Sequence, residues 1–223
     1  MRLLPLVPSA RLPSCPADTQ RTQEARLSIL ERDSHTCRFC GFHAAGSQEV
    51  LPLDAAALPP SPDTLATACL LCAAVQQLDR PTAGQETLVI WMPEMAQAVL
   101  NALVRGIHIA LCRDDESPVL GSRPRQDTPT TRAAWSAYDA LAARREAAEL
   151  HIGTSSPREL AAALLEMSRA SYSRRAALLG GVRVLHRGRH IHDGQDVYPK
   201  ILAGWAAAAS PEATAVPAFP TLS

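Results

Sequence analysis

Four cysteines are distinguished by their spacing. Cys37-Arg38-Phe39-Cys40 and Cys69-Leu70-Leu71-Cys72 are two C-x2-C pairs separated by 28 residues. Two residues between cysteines let a tight turn aim both sulfurs at one point. Gly41, directly after the first pair, can adopt the positive φ that such a turn often requires. Zinc in structural sites takes four tetrahedral ligands, and thiolate suits it as a soft donor. The chemistry this pattern implies is one structural Zn²⁺ held by Cys37, Cys40, Cys69 and Cys72. The competing readings are four cysteines buried as small apolar residues, or one thioredoxin-like redox pair. Neither explains why both pairs share one spacing. Cys15, in a proline-punctuated stretch, and Cys112, at the end of an apolar segment, have no base near them in sequence to make a nucleophile.

Converging four sulfurs takes a turn, a hairpin and a helix. Gln48-Glu49-Val50-Leu51 reads as a strand, and Ala55 to Asp63, with Pro59, Pro60 and Pro62, as a loop. Ala73-Ala74-Val75-Gln76-Gln77-Leu78 reads as the start of a helix carrying the second pair. A knuckle, a hairpin and such a helix make a treble-clef arrangement. Ahead of it, Asp18 to about Arg32 predicts a polar helix with Asp18 or Thr19 as N-cap and Leu27 and Leu30 on one face. Behind it, Thr87-Leu88-Val89-Ile90-Trp91 predicts a short buried strand. Pro93 and Glu94 suit a helix start, and Ala96, Val99, Leu100, Leu103, Val104, Ile107 and Leu111 follow at helical spacing.

The second half is rich in alanine and leucine, which suits packed helices. Trp135 to about Leu150 predicts a helix with Trp135, Tyr138, Leu141 and Ala142 on its apolar face. Ser156-Pro157-Arg158-Glu159 is a capping box opening a third helix to about Leu179, stopped by Gly180-Gly181. Asp196 to Trp205 predicts a last short helix. The expectation is an α+β chain: a flexible N-terminus at 1–17, a zinc-binding treble-clef module at 18–112, a linker at 113–130, a mostly helical region at 131–205 and a disordered tail at 206–223.

Composition narrows the function classes. Of 223 residues, 47% are hydrophobic and 20% charged, so the chain is not disordered by composition. The net charge is zero, and no global field favours nucleic acid, membranes or acidic partners. No apolar run reaches the roughly 18 residues of a membrane span. Met1-Arg2-Leu3-Leu4-Pro5-Leu6-Val7-Pro8 has the charge and apolar run of a signal peptide, but its prolines break the hydrophobic stretch. A cytoplasmic chain is expected, where thiols stay reduced and paired cysteines ligate metals.

The knuckle–hairpin–helix order looks like the HNH nuclease family, several of whose members carry two C-x2-C pairs. That family needs a hairpin histidine to activate water, a loop asparagine and a final helix histidine at the catalytic metal. Here Leu51 and Pro52 stand at the first position, Asp63-Thr64-Leu65 replaces the Asn-Leu of the second, and Ala73 and Ala74 occupy the third. His35 and His43 flank the first cysteine pair with the spacing of loop or surface residues. No catalytic residue is assigned, and the chain is expected not to be an enzyme.

The match narrows further. Leu30-Glu31-Arg32-Asp33-Ser34-His35-Thr36-Cys37-Arg38-Phe39-Cys40-Gly41-Phe42 resembles the zinc-knuckle signature of the IcmJ (DotN) family of type IVB secretion proteins. Gln48-Glu49-Val50, Leu65-Ala66-Thr67-Ala68-Cys69 and Cys72 continue it. Ile90-Trp91-Met92-Pro93-Glu94-Met95, Ser156-Pro157-Arg158-Glu159-Leu160, the stretch from Leu178 to Arg189, Asp196-Val197-Tyr198-Pro199 and Trp205 are similar to later parts of that family. The departures are the alanine run after Trp205 and the lack of an Asn/Asp-rich turn between Ala55 and Pro62. The resemblance implies an HNH-like fold without nuclease histidines and a subunit of a cytoplasmic coupling complex, peripheral to the inner membrane. Its partners would be the C-terminal tail of a DotL-like coupling ATPase and the other coupling-complex subunits, with no small-molecule substrate.

Six arginines (Arg169, Arg174, Arg175, Arg183, Arg187, Arg189) and three histidines lie between Arg169 and His192 with no acidic residue among them. A nucleic-acid-binding zinc module is the alternative function, because arginines grip phosphates. Against it stand the neutral chain and the lack of aromatic stacking partners, Tyr172 being the one in that stretch. The other readings are a solvated face and an acidic partner segment. Trp91, Trp205, Arg187 and Arg189 are the candidate partner-binding residues, since tryptophan and arginine so often anchor interfaces.

Overall fold

The computed structural model describes residues 3–10, 20–53, 61–122 and 124–208. Helix α1 (Gln20–Arg32) leads into the first cysteine pair. Strands β1 (Gln48–Pro52) and β2 (Leu65–Cys69) then form an antiparallel hairpin, and α2 (Leu70–Gln76) follows β2 directly. The chain continues through α3 (Ala83–Glu86), β3 (Thr87–Trp91) and the long α4 (Gln97–Arg113). Next come α5 (Pro129–Ala143), α6 (Arg145–Ile152), α7 (Pro157–Glu166), α8 (Arg169–Ser173) and α9 (Arg175–Leu178). Strand β4 (Val182–His186) returns to pair with β3, a small hairpin joins β5 (Ile191–His192) to β6 (Gln195–Asp196), and α10 (Tyr198–Ala208) closes the described chain. The expected α+β mixture of helices and small antiparallel pairs is what forms.

The β3–β4 pair links residues far apart in sequence, with Thr87 opposite His186 and Trp91 opposite Val182. Val89, Ile90, Val182 and Leu185 have no exposed surface. Strand β4 begins opposite Trp91 because Gly181 lets the backbone approach the indole: a Cβ there would lie 2.4 Å from the ring. The arginines of this stretch hid the strand from a sequence reading. One buried cluster gathers Cys37, Leu51 and Leu71 of the cysteine module with Ile90, Leu100, Trp135, Tyr138, Tyr198 and Trp205. A second packs Val75, Leu78 and Val89 against Ala148, Leu160, Leu164 and Val184.

Several expectations shift for identifiable reasons. Pro93 and Glu94 lie in a turn before α4, which starts at Gln97, and Glu94 pairs with Arg144. The helix through Trp135 starts earlier, at Pro129, because Thr128 caps it by accepting from the Thr131 amide at 3.0 Å. It breaks at Arg144, whose carbonyl accepts from the Trp91 amide at 3.2 Å. The helix expected from Ser156 to Leu179 is α7, which ends at Glu166, and Ser168 caps the next one. Half of its capping box forms: Ser156 accepts from the Glu159 amide, while the Glu159 carboxylate takes the Thr154 hydroxyl. In α1, Leu27 is half exposed, and Ile29 and Leu30 pack on Val50 and Leu65 instead. The N-caps expected for α1, Asp18 and Thr19, lie outside the described residues, as do most of the 55–63 loop and residues 209–223.

Residues 3–10, expected to be flexible, are tied down. The Leu4 amide donates to Arg38 O at 2.7 Å, Ser9 N to Val75 O at 3.0 Å and Leu78 N to Ser9 O at 2.9 Å. Ser9 and Ala10 are fully buried. The 114–128 connection has no regular structure, yet the buried Glu116 carboxylate accepts from the amides of Arg125 and Gln126 at 2.6 and 2.5 Å.

Where α4, α5, β4 and α10 meet, His108 and His186 are buried among Tyr138 and Tyr198. His108 Nδ1 and the Tyr198 hydroxyl are 2.7 Å apart, and the Tyr138 hydroxyl donates to His186 O at 2.5 Å. Burial holds the His186 imidazole down to about 3 and His108 well below its ordinary value. Both are neutral in the fold. Their folded values lie under the unfolded one, so the stability they permit is complete above about pH 6.5 and falls as acid protonates the unfolded chain, at about 2 kcal/mol for His186 by pH 5. Urea unfolding at pH 7.5 and 5 should show this loss, and it should shrink by about 2 kcal/mol in a His186→Gln variant.

Candidate metal centre

The four cysteines converge. Their Sγ atoms all lie within 4.8 Å of one another, and Cys40 and Cys69 are 3.6 Å apart. A tetrahedral ion with metal–sulfur bonds of about 2.3 Å requires sulfur–sulfur edges of about 3.8 Å. A disulfide requires about 2.05 Å. The cluster therefore has the dimensions of a ligand set, and all four thiols are free. Cys37, Cys69 and Cys72 have no exposed surface.

Each sulfur is placed by local structure. The first pair sits in a knuckle closed by Cys37 N donating to Phe42 O at 2.9 Å and Gly41 N to Cys37 O at 2.9 Å. Gly41 has φ +76°, the conformation read from its position. The buried Gln48 amide donates to His35 O at 3.0 Å and Phe42 O at 2.8 Å, gripping the knuckle from both sides. The β1–β2 register sets Gln48 opposite Cys69. Cys69 thus ends the strand and caps α2, whose first turn carries Cys72.

Asp33 docks the knuckle on the hairpin. Its carboxylate accepts from the Thr67 amide at 3.0 Å and pairs with Arg32 at 2.9 Å and Arg38 at 3.2 Å. Burial opposes its ionisation, but the Arg32 and Thr67 hydrogen bonds outweigh it and bring the carboxyl down to about 2. Arg38 N then donates to Thr67 O at 2.8 Å. A second support comes from α4. Asn101 Nδ2 donates to Cys72 Sγ at 3.3 Å, and Gln97 Nε2 donates to Asn101 Oδ1 at 2.8 Å. Gln97 also exchanges two 2.8 Å hydrogen bonds with the backbone of Val184. Sequence reading missed Gln97 and Asn101; the signal was two amides one turn apart at the start of α4, among apolar neighbours.

The thiols are electrostatically coupled. Hydrogen bonds from Cys37, Cys69 and Cys72 hold Cys40 far below the ordinary thiol range, while hydrogen bonds to Cys37 and Cys40, together with burial, push Cys69 and Cys72 up. Four sulfurs this close, three of them without exposed surface, cannot all ionise beside one another without a cation between them. With one, the donor set fits a soft divalent metal ion.

The other predicted residues do not gather. Trp205 is core: it is 4% exposed, its indole donates to Ser47 Oγ at 2.8 Å, and its ring meets Phe42 and Tyr198 edge-on. Trp91 is half-buried and stacked on His151, with ring centroids 4.2 Å apart. Arg187 follows β4 at the far end of the β3–β4 pair from Trp91, and it lines a recess with Arg189. The remaining arginines are dispersed: Arg183 donates to the carbonyls of Met95 and Gly180, and Arg175 lies over the Tyr172 ring. Where nuclease histidines would stand, Leu51, Pro52, Ala73 and Ala74 are buried.

Replacing Asn101 by Leu removes the one side-chain donor to Cys72 supplied by α4 and should weaken metal binding about 10–100-fold, read by competition with a chromophoric chelator. Trp205→Ala should cost about 3–5 kcal/mol in urea unfolding, as a core deletion does.

No family model matches the chain. Among curated proteins it is 33% identical, over 117 residues, to the type 4 apparatus protein DotN of Legionella pneumophila subsp. pneumophila. The match covers 51% of this chain and 54% of that protein, so it spans about half the length of the relative.

Proposed function

We propose that this chain, an IcmJ (DotN) relative, is a component of a Dot/Icm type IV secretion apparatus and serves there as a zinc-stabilised adaptor without catalytic activity. The observation that carries the apparatus assignment is the identity to DotN, a type 4 apparatus protein by name. In this reading one Zn²⁺ is held by Cys37, Cys40, Cys69 and Cys72, and it supplies folding stability rather than chemistry. Four thiolates leave a tetrahedral ion no open position for water, as in structural sites. The knuckle, the hairpin and α2 follow the treble-clef order, and the HNH-like relationship is read from the same order. Its partner would be the C-terminal tail of a DotL-like coupling ATPase, together with other coupling-complex subunits. That placement would hold the chain at the cytoplasmic face of the inner membrane, and no helix among the described residues is long and apolar enough to cross it.

The absence of catalysis is likewise proposed from what fills the site. A general base contributes about 10²–10⁴-fold to such reactions, and apolar side chains stand where the family resemblance would require one. Nucleic-acid binding is the weaker reading, because Arg183 and Arg175, two of the arginines that would make a phosphate track, are spent on carbonyls and a tyrosine ring.

Purified protein should carry one zinc per chain by elemental analysis, and Cys69→Ser or Cys72→Ser should yield insoluble or protease-sensitive protein, since thiolate ligation contributes about 10–16 kcal/mol apparent to folding. Soluble, folded protein without metal would overturn the zinc assignment. Plasmid DNA with Mg²⁺ or Mn²⁺ should stay intact. Affinity purification from the native host should recover secretion-apparatus subunits; their absence from repeated, crosslinked preparations would remove the adaptor reading.

A further inference from the structure

At the α3 end of the β3–β4 pair lies a recess of about 260 Å³ lined by Gly84, Gln85, Val119, Leu120, Arg187 and Arg189. Its walls are fixed by the backbone. Arg187 N donates to Glu86 O at 2.7 Å, and Leu120 N donates to Arg187 O at 3.0 Å. Gly188, between the two arginines, has φ +73°, and a Cβ there would stand 2.1 Å from Pro118 O. That close approach presses residues 118–120 against the arginine-bearing turn.

The charge in this recess is uncompensated. Arg187 is half-buried and donates from Nη1 to Gly84 O at 3.1 Å, which leaves other donors of its fork for a ligand. Arg189 is exposed, and among the described residues neither arginine has an ion pair. Glu86, one residue beyond the lining, cannot supply the counter-charge. It is 1% exposed and its carboxylate is already held by the Ile191 amide at 2.8 Å, by His190 and by Arg80. No lining residue is acidic.

We infer that this recess binds a carboxylate side chain from an acidic peptide segment of a partner protein. Two arginine forks match carboxylate geometry and are enriched where planar anions are recognised. Val119 and Leu120 offer apolar wall to the methylenes of a glutamate, and the exposed Gln85 amide can pair with a peptide backbone. Nucleic acid fits less well. No aromatic ring lines the recess to stack a base. That the ligand belongs to a protein rests on the adaptor reading; that the recess takes a carboxylate does not.

The test uses full-length, metal-replete protein and a fluorescein-labelled eight-residue peptide of alternating glutamate and leucine, followed by anisotropy. The glutamate peptide should bind, and the matched glutamine peptide should bind about tenfold or more weakly. Arg189→Glu should weaken binding by about tenfold or more, with metal content and thermal midpoint unchanged, because its side chain holds nothing in the fold. Arg174→Ala, on the same basic stretch but outside the recess, should bind as wild type. Equal affinity for the two peptides, no effect of Arg189→Glu, stronger competition by an eight-nucleotide single strand than by unlabelled glutamate peptide, or full displacement by millimolar inorganic phosphate would each overturn the inference. The adaptor reading fails separately: it falls if wild-type protein captures no apparatus subunit, even when the peptide binds. It survives, and the recess inference falls, if Arg189→Glu captures those subunits as well as wild type while losing no affinity for the peptide.

Discussion

Four thiols within 4.8 Å of one another, three of them without exposed surface, impose the constraint on which the rest of the structure depends. As neutral thiols they could pack as small apolar residues, but that packing gives no reason for four sulfurs to converge. Ionised without a counter-charge they would repel one another in a largely buried site. A cation would resolve the conflict, and it would also join two cysteine pairs separated by 28 residues in sequence. The knuckle, the hairpin register and the start of α2 are then conditions on one geometry rather than independent features. Gln48 illustrates this. It pairs with Cys69 through the backbone and grips both sides of the knuckle with its side chain, so one residue sets the spacing between the two halves of the site.

From that point the order propagates outward through polar contacts that apolar packing alone would not specify. Asn101 and Gln97 carry it from Cys72 to the backbone of β4, and β4 is paired with β3. Buried amides with all partners supplied fix a register in a way that interchangeable leucines do not. Asp33 does the same on the opposite side, joining the knuckle to β2 through Thr67. The N-terminal strap reaches from Arg38 to Val75 and on to Tyr172, whose hydroxyl lies 2.6 Å from Ser9 Oγ. A disturbance of the cysteine cluster would therefore be felt in α8 and β4 as well as in the knuckle.

Much of this was legible in the residues. The equal spacing of the cysteine pairs, Gly41, the β1 run and the apolar periodicity of α4 each follow from local rules, and the structure places them accordingly. The elements that escaped depend on distant partners. Strand β4 is hidden by Arg183 and Arg187, and its pairing with β3 is possible only because Gly181 faces Trp91. The long helix expected from Ser156 to Leu179 breaks after Glu166 because Ser168 offers the next turn a cap, a local competition that periodicity does not register. Trp205 is the instructive case for site reading. Tryptophan is enriched at interfaces and in cores alike, and sequence alone does not say which; its contacts to Ser47, Phe42 and Tyr198 decide for the core.

The same logic separates scaffold from recognition surface. A cation held by four sulfurs would stabilise the fold but would offer no open position to a ligand. Arginines whose forks end on carbonyls, such as Arg183, belong to the scaffold as well. What remains for a partner is charge that the fold holds in place without neutralising. In a chain whose acidic and basic residues balance at 22 each, such charge must come from local exclusion of counter-ions rather than from composition. The turn at Arg187, Gly188 and Arg189 meets that condition: Glu86, the carboxylate beside its wall, is turned inward and saturated, so the two cations are left facing solvent together.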